Sequence, residues 1–242
     1  MIKFFRRIRK QLLSERKFSN YLLYAVGEIV LVIIGILIAL AISDWNSSRL
    51  EKVSEMQTLA ELRKGLMMDL EVIQQEQKKI NQAIVKIDRL QQLMLDQDQS
   101  YFPSLDSLFG AVYGVRSLRL NAAFYEDLKV AGLSSIKDDK IRLQIVQLFE
   151  NNYQFIAGLQ NNETSINQVN RPYYLTHFHS ISFYQSATPN DFKTVWNDTY
   201  YHNIVDYRLI TLQTNQVQQY ALIIPFIEEL IVAIEDYRNS ND

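Results

Sequence analysis

The chain has no cysteine, and it is poor in the residues that punctuate a backbone, with seven Gly and four Pro in 242 positions. Without thiols it can build neither a disulfide framework nor a thiolate metal site, and it has no cysteine nucleophile. That lack does not choose a compartment, because a cysteine-free chain suits reducing and oxidising surroundings alike. Scarce Gly and Pro leave little material for tight turns, so long helices with few connections are expected and the fold class reads as all-α. No glycine-rich phosphate loop, G-x-S-x-G elbow or H-E-x-x-H pair occurs. The carboxylates are scattered along helix faces rather than paired in an apolar setting. The chain is therefore not read as an enzyme, and no cofactor is implied.

With three histidines there is one candidate metal cluster, His177 and His179 with His202, near Asp191, Asp198 and Asp206. An alternating His pair shares a face only on a strand, and the surroundings are an aromatic-rich stretch. Ordinary packing and surface roles are the reading for these three, and no metal site is assigned.

The formal net charge of −2 conceals a strong asymmetry. Lys3, Arg6, Arg7, Arg9, Lys10, Arg16 and Lys17 precede an apolar run with Glu15 as the only acid among them, whereas from Asp44 onward 18 Lys plus Arg face 25 Asp plus Glu. Basic residues flanking a first span stay on the cytoplasmic side, which places the N-terminus in and residues 44–242 out. The acidic distal part argues against a nucleic-acid partner, since phosphate binding needs a basic face. Within residues 1–20, Ile2, Phe4, Phe5, Ile8, Leu12 and Leu13 gather opposite the basic side chains, the pattern of an interfacial helix on a lipid bilayer.

The apolar run itself, residues 21–43, gives about 23 residues or roughly 34 Å of helix, enough for a hydrocarbon core of about 30 Å. Tyr21, Tyr24 and Trp45 mark its ends as interfacial aromatic residues do. Ala39-Leu40-Ala41 resembles a signal-cleavage pattern, but the stretch is long for a signal core and Glu28 interrupts it. A transmembrane helix is the reading. Gly27, Gly35, Ala39 and Ser43 recur at multiples of four residues and, with Glu28, are taken as a helix-association face. Glu28 fits a shallow, hydrogen-bonded carboxyl near Tyr21 and Tyr24 better than a transport group, because one carboxylate makes no pathway.

Beyond Trp45 no Pro occurs until Pro103, and Leu66, Leu70, Ile73, Gln77, Ile80, Ile84, Ile87, Gln91 and Met94 repeat by threes and fours. This predicts that the helix continues past Gly65 into a bundle of long helices spanning residues 44–242. Its partner is the C-terminal helix carrying Val217, Tyr220, Ile224, Ile227, Ile231 and Ile234, with a kink expected at Pro225. The run 221–234 is too short and too acidic for a second span. Shorter helices are expected over 104–115, 121–131 (ended by Gly132) and 138–160, the last with Ile145, Phe149, Asn152 or Tyr153, Ile156 and Leu159 inward. Residues 161–200, with Pro172, Pro189 and many aromatics, read as the least regular part and as the place for any ligand pocket.

The opening string MIKFFRRIRKQLLSERKFSNYLLYAVGEIVLVIIGILIALAISDWN resembles a domain-of-unknown-function family of Bacteroidota envelope proteins with a basic start, a YAxGEIVLVxIGILIAL span and a closing tryptophan. ELRKGLMMDL at 61–70 and FYEDLKVAGLSSIKDDKIR at 124–142 extend the likeness. The resemblance implies a Gram-negative inner membrane and a periplasmic helical domain, and it implies no activity. Two functions of different class follow. One is a structural or adaptor subunit, associating as a homo-oligomer or with a membrane-protein partner through its span and bundle. The other is a periplasmic sensor or ligand-binding bundle, which would ordinarily need a cytoplasmic output domain larger than twenty residues.

Overall fold

The computed structural model describes residues 18–96 and 99–241, without the side chains of residues 18–21 and of Tyr24. A helix α1, Phe18–Leu93, comes first, followed by α2 (Leu105–Val112), α3 (Ala123–Ala131) and a single 3₁₀ turn at Leu133–Ser135. Then α4 (Asp139–Val146), a π-helical segment (Gln147–Tyr153) and α5 (Gln154–His177) follow one another without a break. A hairpin of β1 (Phe178–Ser182) and β2 (Ser186–Pro189) leads through α6 (Phe192–Trp196) to α7 (Thr199–Thr211). A second π-helical segment (Leu212–Val217) joins α7 to α8 (Gln218–Asn239). The contacts divide the chain into two compact units, with the division between Glu55 and Met56.

In the first unit no described side chain from Leu22 to Ile42 is buried. Leu31 is 69 % and Ile42 61 % exposed, so the apolar surface is uncovered all round the helix. By length and composition this stretch is long and apolar enough to cross a membrane.

The second unit has a continuous core. Leu59, Leu62, Leu66, Asp69, Ile73, Ile80, Ala83, Ile87, Leu90 and Met94 are buried, with Glu76 half-buried between Ile73 and Ile80. Their spacing alternates three and four without a slip, which is the seam of a packed helix. The expected stripe is corrected at every second position: the seam takes 69, 76, 83 and 90, not Leu70, Gln77, Ile84 and Gln91. At two of the four positions the expected stripe passes over acids, Asp69 and Glu76, which the seam takes because partners for them exist. The C-terminal seam shifts likewise, to Tyr220, Ile223, Ile227, Leu230 and Ile234, while Ile224, Ile231 and Val217 only pack at its edge. α8 is thus a core helix, although α7 and α8 together also have the length and composition to cross a membrane.

Each π-helical segment sits where the seam reads four and four in succession, at Ile145–Phe149–Tyr153 and at Leu212–Gln216–Tyr220. A four-residue step over-rotates an α-helix by about 40°, so two in a row would carry the stripe out of the core. One extra residue in a wide turn absorbs that rotation.

The irregular stretch expected over 161–200 is corrected as well. α5 runs on to His177 through Pro172, held by Tyr173 and Tyr174, whose rings are buried immediately after the proline. The first two shorter helices begin and end within a few residues of expectation, the third begins at Asp139 but does not end at 160, and Gly132 does terminate α3, at φ +98°. The hairpin was not expected. Its turn and bulge use positive φ at Tyr184 (63°) and Ser180 (48°), where no glycine advertises the conformation. β2 lies on α2 so closely that a Cβ at Gly110 would land on the backbone of Ser186.

That contact generates a paired prediction. Gly110→Ala should destabilise the chain by about 1–3 kcal/mol, because the obstacle is backbone and cannot swing aside. Gly158→Ala, in mid-helix with open space around it, should stabilise by about 0.5–1 kcal/mol. Thermal unfolding of the two variants checks both signs.

Candidate functional site

The residues singled out from sequence fall in different places. The basic residues Lys3, Arg6, Arg7, Arg9, Lys10, Arg16 and Lys17 lie outside the described residues, as do the side chains of Tyr21 and Tyr24 proposed to meet Glu28. Gly27, Gly35, Ala39 and Ser43 lie on exposed helix, and a Cβ built at Gly27 or Gly35 meets nothing within 4 Å. Glu28 is half-buried. A geometric correction applies to this set. At about 100° per residue, Ser43 lies roughly 160° round the helix from Gly27, so the four form a winding ridge rather than one face. Gly35, Ala39 and Ser43 alone share a strip about 80° wide.

The three histidines do not converge. His177 stacks on Tyr173 with ring centroids 4.3 Å apart, His179 Nδ1 pairs with Asn190 Oδ1 at 2.8 Å, and His202 Nε2 with the Trp196 carbonyl at 2.8 Å. Asp191 and Asp198 cap α6 and α7, and Asp206 accepts from Gln91 at 2.8 Å. Among the described residues no group of three or more His, Asp or Glu is arranged to hold a metal. Several rings of the aromatic stretch are likewise committed to packing. Tyr174 donates to the Phe109 carbonyl at 2.8 Å, its hydroxyl meets that of Tyr201 at 2.8 Å, and its ring stacks on Phe178.

What the sequence reading missed is a buried polar centre in the second unit. Glu163, on α5, faces Arg208, on α7, which is 1 % exposed and meets it with two parallel bonds, Nη1 to Oε1 at 2.8 Å and Nη2 to Oε2 at 3.0 Å. Gln216, from the second π-helical segment, donates to Oε1 at 2.6 Å, and the backbone N–H of Arg116 donates to Oε2 at 2.9 Å. Four donors thus meet one carboxylate, two of them from a guanidinium in fork geometry. The Arg116 side chain turns to Glu76 on α1 (3.2 Å) and carries the Tyr184 ring 4.3 Å over its guanidinium. Gly114, at φ +139°, sends its carbonyl toward Arg208 Nη2 at 3.4 Å, and a Cβ there would lie 2.5 Å from the Tyr184 ring. Burial pushes the Tyr184 hydroxyl up to about 12.

A second buried carboxylate, Asp69 on the α1 seam, accepts the Tyr153 hydroxyl at 2.7 Å and the Asn121 N–H at 3.0 Å. Burial raises its pKa, and the two hydrogen bonds oppose that rise without cancelling it. Each π-helical segment therefore delivers one partner to a buried acid, Tyr153 to Asp69 and Gln216 to Glu163. The signal for Asp69 and Glu76 was present in the sequence as acids on seam positions. Arg208 and Gln216 carried none, because each looks like an ordinary polar residue of a solvated helix.

Residues 28–205 match the model of a family of unknown function, DUF6090, and the chain belongs to that family. No curated protein and no solved structure matches the chain.

Two predictions follow from the buried acids. Glu163→Gln leaves the Arg208 guanidinium buried without its counter-charge and should cost about 3–5 kcal/mol. The double variant Glu163→Leu, Arg208→Met should recover part of that loss, the remainder being the partners stripped from Gln216 and the Arg116 N–H. For Asp69, a raised folded-state pKa means that protonation favours the fold, so this group's stabilisation is greatest at acid pH and declines as pH rises through its folded pKa. Asp69→Asn can keep both hydrogen bonds, with its amide donating to Tyr153. It should be at least as stable as the parent at pH 7, and the difference should narrow as pH falls. A parent more stable than Asp69→Asn at pH 7 would show that ionised Asp69 contributes net stability.

Proposed function

We propose that this chain is a membrane-anchored adaptor, with the helix around Leu22–Ile42 in the lipid bilayer and the helical bundle from Met56 onward holding a partner or a second copy. One observation carries the reading. The apolar side chains of the first unit are exposed all round, a distribution that water disfavours and hydrocarbon accepts. By contrast the second unit buries its apolar seam in its own core.

The polarity of the charges supports an orientation with the N-terminus in the cytoplasm and the bundle outside, in the periplasm of a Gram-negative inner membrane. An adaptor role suits the absence of a catalytic or metal constellation among the described residues and the commitment of the buried polar groups to one another. Gly35, Ala39 and Ser43 offer a strip on which another backbone can approach closely, and Glu28 a polar group beside it.

The natural chain has no cysteine, so a single Ser240→Cys reports topology without background. A membrane-impermeant maleimide should label it in cells whose outer membrane alone is opened. Labelling only after the inner membrane is breached would reverse the orientation. Purified in mild detergent, the full chain should run as a multimer or with a co-purifying membrane protein, and Glu28→Gln should preserve that assembly because the amide keeps the hydrogen-bonding shape. A lone monomer of the parent protein would count decisively against the adaptor reading.

A further inference from the structure

Between Val115 and Ala122 the chain is neither helical nor paired as a strand, yet its side chains alternate. Ser117, Arg119 and Asn121 are exposed, while Leu118, Leu120 and Ala122 are half-buried. That is the pattern of a strand with one face covered. The two buried carboxylates hold its ends, Glu163 through the Arg116 N–H at 2.9 Å and Asp69 through the Asn121 N–H at 3.0 Å. Between these anchors the peptide groups of Ser117, Leu118, Arg119 and Leu120 bond to no other part of the chain among the described residues. The segment is therefore an extended edge, held at both ends and unpaired in the middle.

A cavity of about 430 Å³ opens beside this edge, lined by Leu118, Leu120, Ala122, Tyr153, Ile156 and Ala157. Arg119 borders it and makes no ion pair among the described residues. Free main-chain donors and acceptors at strand spacing, an apolar recess to one side and an unpaired guanidinium are together the chemistry that recognises an extended peptide.

We propose that Ser117–Leu120 is a docking edge for an extended peptide of a partner protein. The peptide adds a strand along the edge, places an apolar side chain in the cavity and sets a carboxylate against Arg119. A second copy of this chain is the less suitable occupant, because antiparallel self-pairing about this edge would bring the two Arg119 side chains together. As the partner site of an adaptor, the edge rests on the reading given above, whereas the peptide-binding property stands on the geometry of the second unit alone.

The test uses the full chain in detergent micelles and fluorescein-labelled capped octapeptides of alternating threonine and valine. One valine is replaced by leucine or phenylalanine, and one threonine by glutamate. Fluorescence anisotropy should show saturable binding of at least one of the two. Ala157→Phe, at an exposed position on the cavity wall, should weaken it ten-fold or more with an unchanged Tm. N-methylation of alternate peptide nitrogens should do the same, because it removes the main-chain donors. Exchanging the peptide glutamate for lysine should weaken binding to the parent and restore it on Arg119→Glu. Absence of saturable binding by both peptides, equal binding to Ala157→Phe, or equal binding of the N-methylated peptide would each overturn the proposal. A parent assembly whose mass halves on Ala157→Phe would overturn it too, in favour of a second copy. An assembly that survives Ala157→Phe while peptides fail to bind would leave the adaptor reading standing and remove this site.

Discussion

The Glu163 carboxylate is the constraint around which the interior of the second unit is organised. A charge removed from water to 3 % exposure must be repaid by partners in place before the core closes. Here those partners come from two stretches distant from it in sequence, the Arg116 N–H before it and the Arg208 guanidinium and Gln216 amide after it. Apolar side chains can slide past one another with small penalties, but a bidentate Arg–Glu pair tolerates little displacement. The pair thus specifies how α5 and α7 register, and through the Arg116 N–H it draws in the segment after α2. Arg116 then reaches Glu76 on α1, so that one chain of charge contacts passes through three helices.

The two π-helical segments follow from the same demand. A regular α-helix presents a seam that drifts slowly, and neither 139–177 nor 199–239 could keep its apolar residues inward across Phe149–Tyr153 or Gln216–Tyr220 without a wide turn. Wide turns have poorer backbone hydrogen bonding and persist where the surroundings favour them. In both helices the residue that profits is polar: Tyr153 reaches Asp69, and Gln216 reaches Glu163. The local irregularity and the buried acid are therefore coupled. A regular helix at either place would aim the partner elsewhere, and a seam without the acid would have no use for it.

This coupling also explains which parts of the fold were legible in sequence. The long apolar run, the existence of the α1 and C-terminal core helices and the Gly132 terminator are local periodic or turn signals and were read, whereas the seam of each helix was set one residue off at several positions. The inward choice of Phe149, Ile156 and Leu159 was read too, while the position between them was left open between Asn152 and Tyr153, and the fold takes Tyr153. Asp69 and Glu76 were passed over because hydrophobicity ranks them last, although their spacing placed them on the seam. Nothing local marks Arg208 or Gln216, whose roles depend on a carboxylate 45 and 53 residues away. The hairpin was hidden for a different reason: Ser180 and Tyr184 adopt positive φ without being glycine, so tertiary contacts and not turn propensity hold them. The small-residue ridge shows the converse error, a spacing legible in sequence whose projection onto a helix is wider than the pattern suggests.

The two units put apolar residues to opposite uses, and the polar residues among them decide which use each stretch can have. Along α1 beyond Met56, buried acids interrupt the seam and each is met by donors from elsewhere in the unit, so the cost of burying them is offset within the chain. From Leu22 to Ile42 the apolar surface has no such complement, every apolar direction is exposed, and only Glu28 breaks the run. A surface of that kind is satisfied by a medium rather than by a matching partner, with specificity left to the few positions where a side chain is small or polar. The bundle faces the reverse situation. Its interior is already specified by the Glu163 and Asp69 networks, so what it has left to offer another molecule is main chain, and the same two carboxylates that close the core hold Ser117–Leu120 extended and unpaired between them.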